Sequence, residues 1–173
     1  MKKLMMLACV AGLAAGCGSD TAPPVTPTGP TTSNTAFTVA LSSANENPPI
    51  SNAEAGATGT ATITFHLTKD TAGTVTAATV DFSVTLANFP AGSSVRLAHI
   101  HTGAAGVNGA VLIDTGLGSI TPITLAAGTG SFSIPGVFLS ADNANAILAN
   151  PSGYYFNAHS ALNGGGVVRG QLR

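Results

Sequence analysis

A strict two-residue alternation constrains this chain more than any other feature in it. Gly59, Ala61, Ile63, Phe65 and Leu67 alternate with Thr58, Thr60, Thr62, Thr64 and His66. One face is apolar and the other is mostly threonine, whose branched Cβ suits a pleated strand better than a helix. Val80, Phe82, Val84 and Leu86 alternate with Asp81, Ser83 and Thr85 in the same way. A period of two is incompatible with an amphipathic helix and places alternate side chains on opposite faces of a sheet. The pattern begins at Phe37, and shorter strand candidates follow near 95–101, 110–114, 120–125, 130–134, 154–159 and 167–172, punctuated by Gly, Pro, Asn and Asp. The exception is Ser140 to Ala149, an alanine-rich run that Ser140 can cap and Pro151 ends, which predicts one short helix. About nine short strands and one helix imply an all-β fold, an antiparallel β-sandwich or barrel of Greek-key type.

The first residues follow a different logic. Lys2 and Lys3 precede the apolar run Leu4 to Leu13, and Ala14-Ala15-Gly16 lead into Cys17. This is the layout of a secretory signal, too short for a permanent membrane span. The small residues before Cys17 resemble the bacterial lipobox, which implies a signal peptide over residues 1–16 and lipidation of Cys17. Leu13 stands one position further from the cysteine than that motif usually places its leucine. Gly18 after the cysteine is similar to outer-membrane sorting, so the expected address is the outer membrane or cell surface. Residues 17–35 then read as the lipidated cysteine and a Pro/Thr-rich tether, with Pro23, Pro24, Pro27 and Pro30 among threonines, leaving residues 36–173 as the folded domain.

Cys9 and Cys17 are the only cysteines, so the domain carries no thiol and must stand on its hydrophobic core. The net charge is −1, and residues after the signal hold four basic against seven acidic side chains, with neither sign concentrated. That argues against a nucleic-acid partner and leaves a membrane contact through the lipid, with an unknown protein or small ligand as the expected partner.

The concentrated polar chemistry lies in two stretches. His99 and His101, two apart, leave one strand face roughly 6–7 Å from each other. Tyr155, Asn157 and His159 share a face of a second strand, and Val167, Arg169 and Gln171 a face of a third. If those strands are neighbours, His99, His101 and His159 can close on one copper or zinc ion, supported by Asn157, Arg169 and Gln171, with a fourth position open to water, Glu46 or Asp114. The alternative is that the histidines hydrogen-bond the main chain and each other, with no cofactor. Binding would need neutral imidazoles and should weaken below about pH 6, given an ordinary pKa of about 6.5. His66 belongs to the threonine face of a separate strand.

The segments Ala44-Asn45-Glu46-Asn47-Pro48-Pro49, Ala98-His99-Ile100-His101-Thr102-Gly103, Asn108-Gly109, Asn157-Ala158-His159-Ser160 and Val168-Arg169-Gly170-Gln171-Leu172 resemble the CHRD domain, named for chordin and common in bacterial secreted proteins. The resemblance runs from about Phe37 to the C-terminus. It implies a fold and an exported address; the leading expectation for function is a non-enzymatic binding module, followed by a mononuclear metal-binding protein and then a metalloenzyme. Asn47 and Val167 depart from the family pattern, which often has valine and glutamate there. A looser likeness is to copper–zinc superoxide dismutase, a Greek-key β-sandwich whose copper strand also carries His-x-His. Four histidines are too few for that enzyme's paired metals, so dismutase activity of that type is not expected. Asp114-Thr115-Gly116 is similar to the aspartic-protease tripeptide. It occurs once, whereas that chemistry needs two carboxylates sharing a proton, so it reads as a strand ending in a turn.

Overall fold

The computed structural model describes residues 29–173. The expectations for the signal, Cys17 and the tether up to residue 28 lie outside the described residues. Nine strands follow: β1 Thr31–Ser42, β2 Thr58–Lys69, β3 Val75–Ala87, β4 Ser93–Thr102, β5 Val111–Asp114, β6 Ile123–Leu125, β7 Gly130–Leu139, β8 Tyr154–Ser160 and β9 Val168–Gln171. The helix α2, Ala141–Ala149, lies where the alanine-rich run placed it, and a single helical turn, α1, Leu117–Ile120, links β5 to β6.

All pairings are antiparallel, in the order β5-β4-β8-β9-β1-β2-β3-β7, with β6 on the same edge of β4 as β5. Strands β1, β2 and β3 form a meander. The chain then crosses to β4, returns with β7 to the edge of β3, crosses again to β8 beside β4, and ends with β9 between β8 and β1. This is Greek-key connectivity in a nearly closed barrel-like sheet, with β6 lying against β7 where the two ends approach.

The alternation read from β2 and β3 is the burial pattern observed. Ala61, Ile63, Phe65 and Leu67 of β2 and Val80, Phe82, Val84 and Leu86 of β3 are buried, and the intervening threonines and serine are not. Phe82 of β3 stacks on Phe156 of β8, with centroids 5.9 Å apart, so the core bridges the two halves of the barrel. Between β2 and β3, Asp70 Oδ1 accepts hydrogen bonds from the Ala72 and Thr74 amides, and Gly73 takes the left-handed conformation that the turn requires. In α2 the Ser140 hydroxyl accepts from the Asn143 amide, and Ala144 and Ile147 are buried against the barrel.

Two features differ from the sequence expectation. Strand β1 begins at Thr31 and pairs with β2 along its full length, so residues 31–35, expected to be tether, are part of the sheet. Their side chains are polar on both faces, and the two-residue period therefore carries no signal there. The second difference concerns β4 and β8. Residues 98–101 and 155–160 are buried without interruption, on both faces. One face meets the apolar core, and loops cover the other.

With no cysteine in residues 29–173, a chain beginning at Gly29 is expected to unfold in one cooperative transition whose midpoint is the same with and without dithiothreitol. A chain beginning at Phe37, which loses half of β1, should melt several degrees lower. Differential scanning calorimetry of the two chains checks both statements.

Candidate metal centre

The covered face of β4, β8 and β9 is organised in cross-strand rungs. His101 stands opposite Tyr155 and Tyr155 opposite Gln171, while His99 stands opposite Asn157 and Asn157 opposite Arg169. Leu97 faces His159. Because side chains alternate, these residues all leave the same side of the sheet, while Ala98, Ile100, Phe156, Ala158 and Val168 fill the core from the other.

The three histidines converge. One ring nitrogen from each of His99, His101 and His159 lies within 4.8 Å of the others, and all three residues are buried. Their hydrogen bonds decide which nitrogens are free. His101 Nδ1 is 3.0 Å from the Gly109 carbonyl and His159 Nδ1 is 3.0 Å from the Gly164 carbonyl. A carbonyl can only accept, so each Nδ1 carries the proton and each Nε2 a lone pair. His101 Nε2 is buried with no hydrogen-bond partner. His159 Nε2 lies 3.0 Å from His99 Nδ1 and 3.1 Å from Asn157 Oδ1. The remaining nitrogen of His99, Nε2, is turned toward Asp114 Oδ1 at 3.7 Å.

Burial disfavours the charged forms of His99 and His159. It pushes His159 down to about 4, against a weaker upward pull from the Gly164 carbonyl, and lowers His99 more than the Asp114 carboxylate raises it. Neutral imidazoles present lone pairs suited to a transition-metal ion.

The roof over this face hangs on Arg169, a side chain 1% exposed. Its guanidinium donates to Asn108 Oδ1 and to the Ala104 and Val107 carbonyls, gripping the loop between β4 and β5. It also lies 3.3 Å above the Tyr155 ring, and Tyr155 stacks in parallel on His101, with centroids 4.8 Å apart. Asn47 donates to the Gly106 carbonyl and receives a hydrogen bond at its own carbonyl from Asn108, which locks the β1–β2 loop onto the same roof. Further out, Glu54 accepts from Ser160 and Asn163 and pins the loop after β8.

Glu46 is the unusual member. Only 8% exposed, it has one carboxyl oxygen, Oε1, buried without a hydrogen-bond partner. Burial pushes its pKa up to about 7, while the Arg169 charge and the Asn157 amide pull the other way. A raised carboxyl contributes stability that is present below about pH 4.5 and lost as pH climbs through about 7. His159 has the opposite sign: its contribution is present above about pH 6.5 and lost as pH falls toward about 4.

Of the residues expected at a site, the structure brings together His99, His101, His159, Asn157, Arg169 and Glu46. Gln171 shares their face but donates to the Gly103, Ser152 and Tyr154 carbonyls, so it ties loops and does not approach the imidazoles. Glu46 and Asp114, expected as candidate fourth ligands, are not among the metal-binding group. Glu46 is directed at Asn157, and Asp114 accepts from the Gly116 amide in the Asp-Thr-Gly turn and is 63% exposed on its side chain. His66 is engaged elsewhere, between Asn34 and Asp81. Sequence reasoning did not single out Tyr155 or Gly166 as site residues. Tyr155 was detectable as the neighbour of Asn157 on one strand face.

Replacing Glu46 by Gln should stabilise the protein relative to the wild type by an amount that grows from pH 4.5 to pH 8, reaching on the order of 2 kcal/mol. Urea unfolding of the two proteins at pH 5 and pH 8 measures the difference. A difference independent of pH would contradict the raised carboxyl.

Two clefts flank the histidine face. One of about 460 Å³ lies between the β1–β2 loop and β9, and one of about 260 Å³ between Asn47, Pro48 and the loop after β8; Glu46 borders both. No curated protein and no solved structure matches this chain. The CHRD domain family matches residues 37–172, which run from the middle of β1 to the end of the sheet and take in every residue of the histidine face. The chain belongs to the CHRD domain family.

Proposed function

We propose that this chain is an envelope lipoprotein whose CHRD module binds a single transition-metal ion, copper or zinc, through His99, His101 and His159. CHRD membership suggests a binding module, and the metal gives that module a ligand. The observation that carries the reading is the set of free lone pairs. The Nδ1 protons of His101 and His159 are spent on main-chain carbonyls, which leaves Nε2 of each directed into a buried space shared with His99. Ligating histidines generally donate their second nitrogen in this way, because the outer hydrogen bond fixes both ring and tautomer. A purely structural network accounts for less. A proton between His99 and His159 would satisfy that pair, yet His101 Nε2 would stay buried and unpaired.

All three donors are neutral nitrogens, a set suited to zinc or copper and poorly suited to calcium, which takes oxygen ligands. Burial lowers His99 and brings His159 down to about 4, so protons compete with a metal for these two rings less than for ordinary histidines. A binding module that holds a metal needs no turnover, and the function proposed here is non-enzymatic.

Titration calorimetry with Zn(II) and Cu(II) at pH 7.5 should show one site per chain and no comparable uptake of Ca(II). His99→Ala, His101→Ala and His159→Ala should each lower affinity by at least 100-fold, since a three-ligand site fails when any member leaves, and His66→Ala should leave it unchanged. Equal, small effects from all four variants would mean surface binding and would sink the proposal.

The anchoring is read from the Lys2 to Cys17 layout alone. Cys17→Ala should abolish incorporation of a palmitate analogue and shift the protein out of the membrane fraction. Wild-type protein that takes no label and fractionates as soluble would overturn the anchor.

A further inference from the structure

The geometry points to a fourth ligand: Asn157, coordinating through Oδ1 and held in that orientation by Glu46, so that the centre is a closed cage of three nitrogens and one oxygen. The inference rests on the metal reading above and says what completes it. Asn157 is 2% exposed and stands on the rung between His99 and Arg169, two residues before His159 on the same strand. Its Oδ1 is 3.1 Å from His159 Nε2, almost as near as His99 Nδ1 at 3.0 Å. Around a tetrahedral ion with bonds of about 2.0–2.1 Å, ligand atoms sit about 3.3 Å apart. The two spacings fit two edges of one such tetrahedron.

The proton inventory points the same way. His159 spends its Nδ1 proton on Gly164, so its Nε2 presents a lone pair to an amide oxygen. Two acceptors facing each other at this distance repel, and a cation lying against both relieves that repulsion. Turning the amide over would give His159 a donor instead, but it would set the amide oxygen against the Glu46 carboxyl.

Glu46 opposes that turn. Glu46 Oε1 and Asn157 Nδ2 face one another across Gly166, where a Cβ would fall 2.6 Å from the first and 2.7 Å from the second. Gly166 has φ +134 and no side chain to intrude. Oε1 has no hydrogen-bond partner, and the amide group of Asn157 is the donor placed across Gly166 from it. The buried carboxyl thus acts as the outer support of the ligand, as the Gly109 and Gly164 carbonyls do for His101 and His159.

A cage closed by four protein atoms has a consequence for function. Catalytic metal sites keep one position open for water or substrate, whereas closed sites hold an ion for structure, storage or transfer. The four-coordinate N3O set favours Zn(II), since Cu(II) prefers tetragonal geometry.

Cobalt(II) provides the test, because its visible absorption reports coordination number. Titrated into the full-length wild-type protein, Co(II) should give intense four-coordinate bands that a large excess of azide leaves unchanged. Asn157→Ala should bind Co(II) about 10–100-fold more weakly and show bands that shift with azide, the anion entering the vacated position. Asn157→Asp, which keeps an oxygen in place, should again exclude azide. Azide-sensitive bands in the wild type, a reading that needs no variant, would overturn the fourth ligand while leaving the three-histidine site intact. So would an Asn157→Ala protein indistinguishable from the wild type. Wild-type protein that takes up no cobalt would overturn both this inference and the metal reading beneath it.

Discussion

The buried guanidinium of Arg169 is the interaction on which the histidine face depends. It is a full charge placed under a roof of loops, with three hydrogen bonds to the segment between β4 and β5 and a tyrosine ring beneath it. A charge taken out of water is tolerable only when its donors are satisfied, and the planar fork of arginine reaches several carbonyls at once where lysine would not. Satisfying it drags residues 104–108 over the sheet. That closure helps bury His99 and His101, and burial in turn lowers the His99 pKa. The arginine is therefore coupled to the chemistry of rings it does not touch directly, with Tyr155 as the layer between.

The same strands serve two surfaces. Ala98 and Ile100 of β4 and Phe156 and Ala158 of β8 pack in the core, and the residues between them carry the histidines and Asn157. A strand clamped by close packing on one side has little freedom on the other, and a coordination site needs its first ligands held to within about half an ångström. The small charged complement of the chain fits this arrangement. Most of the sheet needs only threonine on its outer face, and the ionisable groups that are buried gather in one place.

Within that place the charges oppose one another. Burial raises Glu46 and lowers His99 and His159, so the carboxyl tends toward its neutral acid and the imidazoles toward their neutral bases. Imidazoles held toward the neutral base keep their lone pairs, the form that the proposed metal ion would need.

The division between sequence and tertiary structure follows from how far each signal reaches along the chain. The two-residue period is local, and it determined the strands, the apolar face of β2 and β3, and the fact that His99 shares a side with His101, and Asn157 with His159. The start of β1 was illegible because Thr31 to Ala36 have no apolar alternation to read; pairing with β2 alone makes them a strand. That β4, β8 and β9 lie side by side was decided only by the fold, since His99 and His159 are 60 residues apart and nothing local selects one neighbour among nine strands. The proton on each imidazole, the stack of Arg169 on Tyr155 and the space left by Gly166 are likewise tertiary. Each depends on a carbonyl, a ring or a missing Cβ that another part of the chain brings within a few ångströms.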